Sequence, residues 1–447
     1  MDAQLYPLTI GQRLVLHSER TYPGTPVHNV SGLLLIEDEL DFGLLEEAIR
    51  LLVRRNDALR LRLVLQMKNG GFGKFYSSLL YKDVFMQYVQ EDPPVSVRFL
   101  DFSGRTREEL DAELIRINST PIDVTGEPVY DFTMVKAGDG RQGVFSKLHH
   151  ICTDGWMSSM YARQIMDLYY ALKNGEELPP APHSFLTVIE AEKAYLQSPQ
   201  YQADKEFWLS KLLTGRPHNT YISGGKRFPK TRTGKSDRYE VRMDRGLSEA
   251  VGAFCRDNEI SQPVLYNQLM GIRLARVSGY PDVSFTTPSM LRATLKEKRT
   301  CGPMVNFTLV RMRIDDNKTF VESCRELHAE HLSGMRHIRF PMAHAMIPMH
   351  KKYLLLAPPY DVLIAFQVAL IQTKENVRFE SKWYPSGYYP NPFTLNITDM
   401  DGTGTYLFQY EYWAENYSAK LVEDTHQSLM DMLGKVLHDP SISVRNL

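Results

Sequence analysis

The sequence predicts a mixed α/β (α+β) protein built as two lobes. Its 447 residues exceed what one typical compact domain holds. Segments with helical spacing of apolar residues alternate with short strand-like runs along the chain. Gly175 and the run Pro179-Pro180-Ala181-Pro182 interrupt both patterns, since proline lacks an amide donor and clashes with a preceding helical turn. The interval from Asn174 to His183 is therefore the expected linker, dividing the chain into residues 1–178 and 179–447.

The elements follow in order. Leu44, Leu45, Ala48, Ile49 and Leu52 recur at helical spacing around Glu46, Glu47 and Arg50, which predicts an amphipathic helix ending near Arg55-Asn56-Asp57. Leu61 to Leu65 and Val95 to Leu100 read as strands, and the turn residues Gly126-Glu127-Pro128 precede another. Val144 to Leu148 is extended. From near Trp156, the side chains Met157, Tyr161, Ile165, Leu168 and Leu172 form one apolar helical face, which belongs to a core. Beyond the linker come a helical stretch through Phe207 and Trp208 and a basic loop holding Lys226, Arg227, Lys230, Arg232 and Lys235. Met304 to Val310 reads as a buried strand entered through Gly302 and Pro303, with Asn306 its one conspicuous polar group. Met342, Met346 and Met349 mingle with His337, His344 and His350 at irregular spacing, which indicates packing and not a soft-metal site. The last helix carries Leu429, Met432, Leu433 and Val436 and stops before Pro440.

Bulk properties narrow the function. With 43% hydrophobic and 23% charged residues and a formal net charge of −1, neither sign of charge dominates, so no nucleic-acid or anionic-membrane partner is indicated. Cys152, Cys255, Cys301 and Cys324 lack paired spacing and predict neither a disulfide framework nor a zinc knuckle; a reducing cytoplasm is the expected setting. The opening Met1-Asp2-Ala3-Gln4 has no apolar core of a signal peptide, and the longest apolar stretch, Val362 to Ile371, is interrupted by Gln367 and too short to span a bilayer.

His149-His150-Ile151-Cys152-Thr153-Asp154-Gly155 carries the strongest chemical signal, because it stands where an extended run gives way to a helix. Successive strand side chains point to opposite faces, so one histidine is expected to be chemical and the other packed. Asp154 is placed either to fold back toward an arginine or to cap the helix amides. Gly155, lacking a side chain, would let a substrate approach the backbone. Diverging histidines without a further ligand at suitable spacing argue against a metal.

In this order and with these separations, the motifs resemble those of nonribosomal peptide synthetase condensation domains over essentially the whole chain. Leu8-Thr9 with Gln12 is similar to the family's opening motif, and Arg55 to Arg60 to its Arg-His-Glu-x-Leu-Arg element, with Asn56 and Asp57 in place of His-Glu. Pro121-Ile122-Asp123 with Gly126 and Pro128 resembles the Pro-Phe-Asp stretch, and His149 to Gly155 matches HHxxxDG in full. Gly302 with Val305-Asn306 resembles Gly-x-x-Val-Asn, while Phe340-Pro341 and Tyr360 to Gln367 are similar to the last two elements. Met157 and Phe307 depart from the usual serine and threonine, which bears on pocket shape.

The resemblance implies two chloramphenicol acetyltransferase-like lobes forming a V-shaped pseudo-dimer around a central tunnel. It implies amide-bond formation between a carrier-bound acyl or peptidyl thioester and the amine of a carrier-bound aminoacyl thioester, or, in a starter domain, N-acylation of the first amino acid. By the same carry-over His150 and Gly155 are catalytic, His149, Asp154 and Arg292 support the motif, and Trp156 and Asn306 line the tunnel or position substrate. No cofactor is bound intrinsically; substrates arrive on the 4'-phosphopantetheine of donor and acceptor carrier proteins, with adjacent synthetase domains as further partners of a monomeric domain. Epimerisation, a free-standing acyltransferase and a non-catalytic docking domain are the alternatives. The first lacks its usual Val-Ser-Trp-type run here, and His149-His150 argue against cyclisation domains, which carry aspartates there.

Overall fold

The structure, a computed structural model, describes residues 4–65, 85–126, 128–367, 377–399 and 403–447. Glu127 of the expected turn and residues 368–371 of the apolar stretch lie outside them, as do Met1 to Ala3. The first part of the chain supplies β1 (Tyr6–Pro7), β2 (Asn29–Ile36), β3 (Leu61–Leu65), β4 (Phe85–Val89), β5 (Val97–Asp101), β6 (Tyr130–Lys136) and β7 (Gln142–His149). The remainder supplies β8 (Ser236–Arg242), β9 (Asp282–Met290), β10 (Val305–Arg313), β11 (Val362–Gln367), β12 (Phe379–Tyr384), β13 (Phe393–Thr398) and β14 (Leu407–Trp413).

These strands form three sheets, ordered β1-β4-β3, β12-β2-β7-β6-β5 and β10-β9-β11-β13-β14-β8. Strand alternation decides what each face of the five-stranded sheet covers. Leu34 pairs with Val144 and both enter a core with the Phe42–Arg55 and Gly155–Asn174 helices, whose Leu45, Ile49, Leu52, Tyr161 and Ile165 are fully buried. Leu33 pairs with Phe145 on the other face and packs on Leu110 and Leu114 of the Arg107–Asn118 helix. The six-stranded sheet packs on the Gln262–Ser278 helix, whose Leu265, Leu269, Ile272 and Leu274 meet Phe285, Ile364 and Phe408.

Gly175 closes the Gly155–Asn174 helix in the left-handed region, at φ 66°, which glycine adopts without a Cβ penalty. Arg55 then donates to the carbonyl of Pro179, tethering the proline run to the first lobe.

Two features depart from the sequence reading. The stretch expected as a buried strand is β10, an edge strand in which only Asn306 and Leu309 are buried, because it has a neighbour on one side alone. β12, which comes after the proline run in sequence, joins the sheet of β2 in antiparallel register, Trp383 opposite Gly32 and Tyr384 opposite Ser31. That crossing carries Tyr384, Pro385 and Ser386 to the wall of the cavity described next. Among the described residues no helix is long and apolar enough to cross a membrane.

Candidate active site

β7 ends at His149, and the His150 amide carries its register with β2 one residue further, donating to the carbonyl of His28 at 2.9 Å, so the two histidines keep the alternation of a strand. The two rings therefore diverge. His149 is 1% exposed; its Nδ1 accepts the Ile151 N–H at 3.1 Å, which places its proton on Nε2, facing Glu19 Oε2 at 3.4 Å. His150 is only partly buried, and its Nδ1 lies 2.9 Å from the carbonyl oxygen of Thr153. A carbonyl only accepts, so Nδ1 carries the proton and the neutral ring keeps its lone pair on Nε2. Burial pushes the His150 pKa below the ordinary histidine value, against the opposing pull of the Asp154 charge, so the ring is neutral near pH 7.

Asp154 does both of the things its position allowed. Its Oδ1 accepts the Met157 N–H at 2.9 Å and caps the Gly155–Asn174 helix. Its Oδ2 accepts from Arg292 Nη1 at 2.7 Å and from the Met304 N–H at 2.8 Å, while Arg292 Nη2 donates to the carbonyl of Gly302 at 2.6 Å. One carboxylate thus fastens the histidine turn to the 292–304 loop beyond the proline run. Gly302 permits that loop: its φ is 134°, and a Cβ there would run into the Phe185 ring.

A cavity of about 390 Å³ opens at these residues, its lining including His150, Asp154, Gly155, Phe307, Leu363 and Gln367. Gly11, Leu14 and Val305 also line a neighbouring cavity of about 210 Å³, so the two abut.

The structure redirects three expectations. Trp156, the second residue of the Gly155–Asn174 helix, packs against the core that this helix shares with the five-stranded sheet and is not among the residues lining the His150 cavity. Asn306 spends its amide on the loop that follows, donating to the carbonyls of Ile338 at 2.8 Å and Phe340 at 2.7 Å and accepting the Phe307 N–H at 2.9 Å. It lines the neighbouring cavity and is not among the residues lining the one at His150. The space left by Gly155 is filled by protein: a Cβ there would stand 2.5 Å from Gln367 Oε1. In the sequence Gln367 stood out as the polar residue interrupting an apolar run and as the end of the Tyr360 to Gln367 element, with no role attached to it.

His28 is a third imidazole that no motif flagged. It is 5% exposed, neither ring nitrogen has a hydrogen-bond partner, and its ring lies edge-on to His149 and His150 at centroid distances of 5.9 and 6.2 Å. Burial first, then the two neighbouring imidazoles, depress its pKa well below the usual value. A histidine whose pKa is depressed by folding contributes stability that is present above its unfolded pKa, near 6.5, and lost as pH falls. His28→Phe is expected to match or exceed wild-type melting temperature at neutral pH and to lose less on acidification to about pH 5, the other depressed groups being common to both proteins. Thermal melts across that range check this; a steeper acid loss in the variant contradicts it. Among the described residues no group of three or more His, Cys, Asp or Glu is placed to hold a metal ion.

A family model described as Condensation domain matches residues 2–447. The chain is 26% identical over 455 residues to Surfactin synthase subunit 1 of Bacillus subtilis (strain 168), an alignment covering 100% of this chain and 12% of that protein. It is 21% identical over 456 residues to Tyrocidine synthase 3 of Brevibacillus parabrevis, covering 100% of this chain and 6% of that protein. The chain therefore spans less than a fifth of these relatives. A variant of the starter condensation domain of rhizomide synthetase, solved in complex with C8-CoA, superposes with a TM-score of 0.85 at 17% identity, covering 99% of this chain and 97% of that one. The first condensation domain of the calcium-dependent antibiotic synthetase, in complex with substrate analogue 2a, gives 0.82 at 19% identity, covering 99% of each chain. The mixed α/β fold with chloramphenicol acetyltransferase-like lobes expected from the sequence is the fold these structures share.

Proposed function

The chain belongs to the condensation-domain family of nonribosomal peptide synthetases, and from that premise we propose that it forms an amide bond between two carrier-borne substrates. The donor is an acyl or peptidyl thioester and the acceptor is the α-amine of an aminoacyl thioester, each delivered on the 4'-phosphopantetheine of a carrier protein in the cytoplasm. The observation that carries this reading is the place of His150: it lines the cavity beside Asp154 and Gly155, and its Nδ1 is held by the Thr153 carbonyl, which leaves Nε2 as the lone-pair nitrogen of the neutral ring.

The thioester is already activated, so alignment of the two arms supplies much of the acceleration. An α-amine has a pKa of about 8, so part of it is free at neutral pH. His150 Nε2 accepts a proton from that amine as its nitrogen bonds to the carbonyl carbon. Asp154 and Arg292 act on this step by holding the turn that presents His150, while His149, turned toward Glu19, stabilises the end of β7. One neighbour favours a starter role with a carboxylic acyl donor: the domain named as a starter condensation domain is in complex with C8-CoA.

Mass spectrometry of carrier-bound products, from a panel of acyl and aminoacyl donors against aminoacyl acceptors, tests this. Acylated aminoacyl carrier is the expected product. Epimerised single carriers, or carrier binding with no product from any pair, would replace the reading.

A further inference from the structure

Gly155 has an ordinary backbone φ, so its conformation would admit any residue. Space is the constraint. The carboxamide of Gln367, the last residue of β11, lies across the glycine, with Oε1 2.5 Å, Cδ 3.2 Å and Nε2 3.4 Å from where a Cβ would be. Gly155 opens a helix whose N-terminal amides carry partial positive charge, so Oε1 as the nearer atom is the electrostatically favoured orientation. Gln367 lines the same cavity as His150, and with Oε1 turned to the helix amides its Nε2 N–H groups are the donors that it can offer a ligand there.

We propose that Gln367 is the donor that receives the oxyanion of the condensation step. The assignment rests on the condensation reading and adds a residue to it. As the acceptor nitrogen bonds to the thioester carbon, the carbonyl π pair moves to oxygen, and that oxygen accepts a hydrogen bond from Gln367 Nε2. Collapse restores the carbonyl and breaks the carbon–sulfur bond. The departing pantetheine thiolate takes the proton that His150 Nε2 removed from the amine, which leaves His150 neutral for the next turnover. His150 Nε2 is committed to carrying the proton from the amine nitrogen to the departing sulfur, so a donor for the oxyanion is needed elsewhere in the cavity lining, where a fixed dipole serves.

Single-turnover condensation with two loaded carriers tests the assignment. Gln367→Leu is expected to slow the chemical step by about 10²–10³-fold, the range for loss of one oxyanion donor. Carrier binding, followed by fluorescence anisotropy, and the melting temperature should stay at wild-type values. Gly155→Ala should also slow the step by displacing the carboxamide, yet cost little more in a Gln367→Ala background, where nothing remains to displace. A wild-type rate in Gln367→Leu overturns the assignment alone, as does a rate loss fully matched by weaker carrier binding or a lowered melting temperature. Absence of product from the wild-type protein with every pair overturns the condensation reading and this assignment with it.

Discussion

His150→Ala is expected to lower the single-turnover condensation rate by about 10²–10⁴-fold, the usual contribution of a positioned general base, while leaving the fold intact. The ring sits at the cavity wall and makes one hydrogen bond, to the Thr153 carbonyl, so its loss uncovers little that the fold needs. His149→Ala should do the reverse. It removes the acceptor of the buried Ile151 N–H and the partner of the half-buried Glu19, so stability falls and the chemistry is less affected. Quenched-flow assays with loaded carriers, paired with thermal melts, separate the two. Equal rates for His150→Ala and wild type would remove the ring from the mechanism.

The sign of the pH dependence follows from the same environment. His150 works as the neutral ring, and burial lowers its pKa, so its activity is complete above the ordinary value of about 6.5 and is lost only at more acidic pH. The acceptor amine adds a separate limb near pH 8. Replacing the acceptor with one bearing a less basic amine should move the upper limb and leave the lower one in place.

Asp154→Ala is the second large effect, and it is architectural. Arg292 has a fully buried side chain, Asp154 is 5% exposed at its side chain, and removing one partner strands the other charge, which costs about 3–5 kcal/mol in buried pairs. The same change uncaps the Gly155–Asn174 helix at Met157 and leaves the Met304 N–H without its acceptor. Soluble yield and melting temperature should drop together with activity. Full loss of turnover at unchanged stability would move Asp154 into the chemistry.

Much of this was readable from local pattern. The spacing of Leu45, Ile49 and Leu52 marks a helix, the short run from Val144 to Leu148 reads as extended, and Gly175 with the proline run marks the end of a long helix. The order of motifs from Leu8 to Gln367 was enough to name the family. These signals are legible because helix and strand periodicity, caps and breakers act between residues close in the chain.

Other facts arise only from contacts between segments far apart in sequence. No local pattern says that β12 completes the sheet of β2, since edge pairing is chosen by which sheet has an open side. The orphaned His28 ring, the spending of the Asn306 amide on Ile338 and Phe340, and the turning of Trp156 into the core are of the same kind. Gly155 shows the division most clearly. Its lack of a side chain is written in the chain, but that the vacancy holds a carboxamide from 212 positions later is decided by the packing of the end of β11 against the start of the helix, where distance in space replaces distance in sequence.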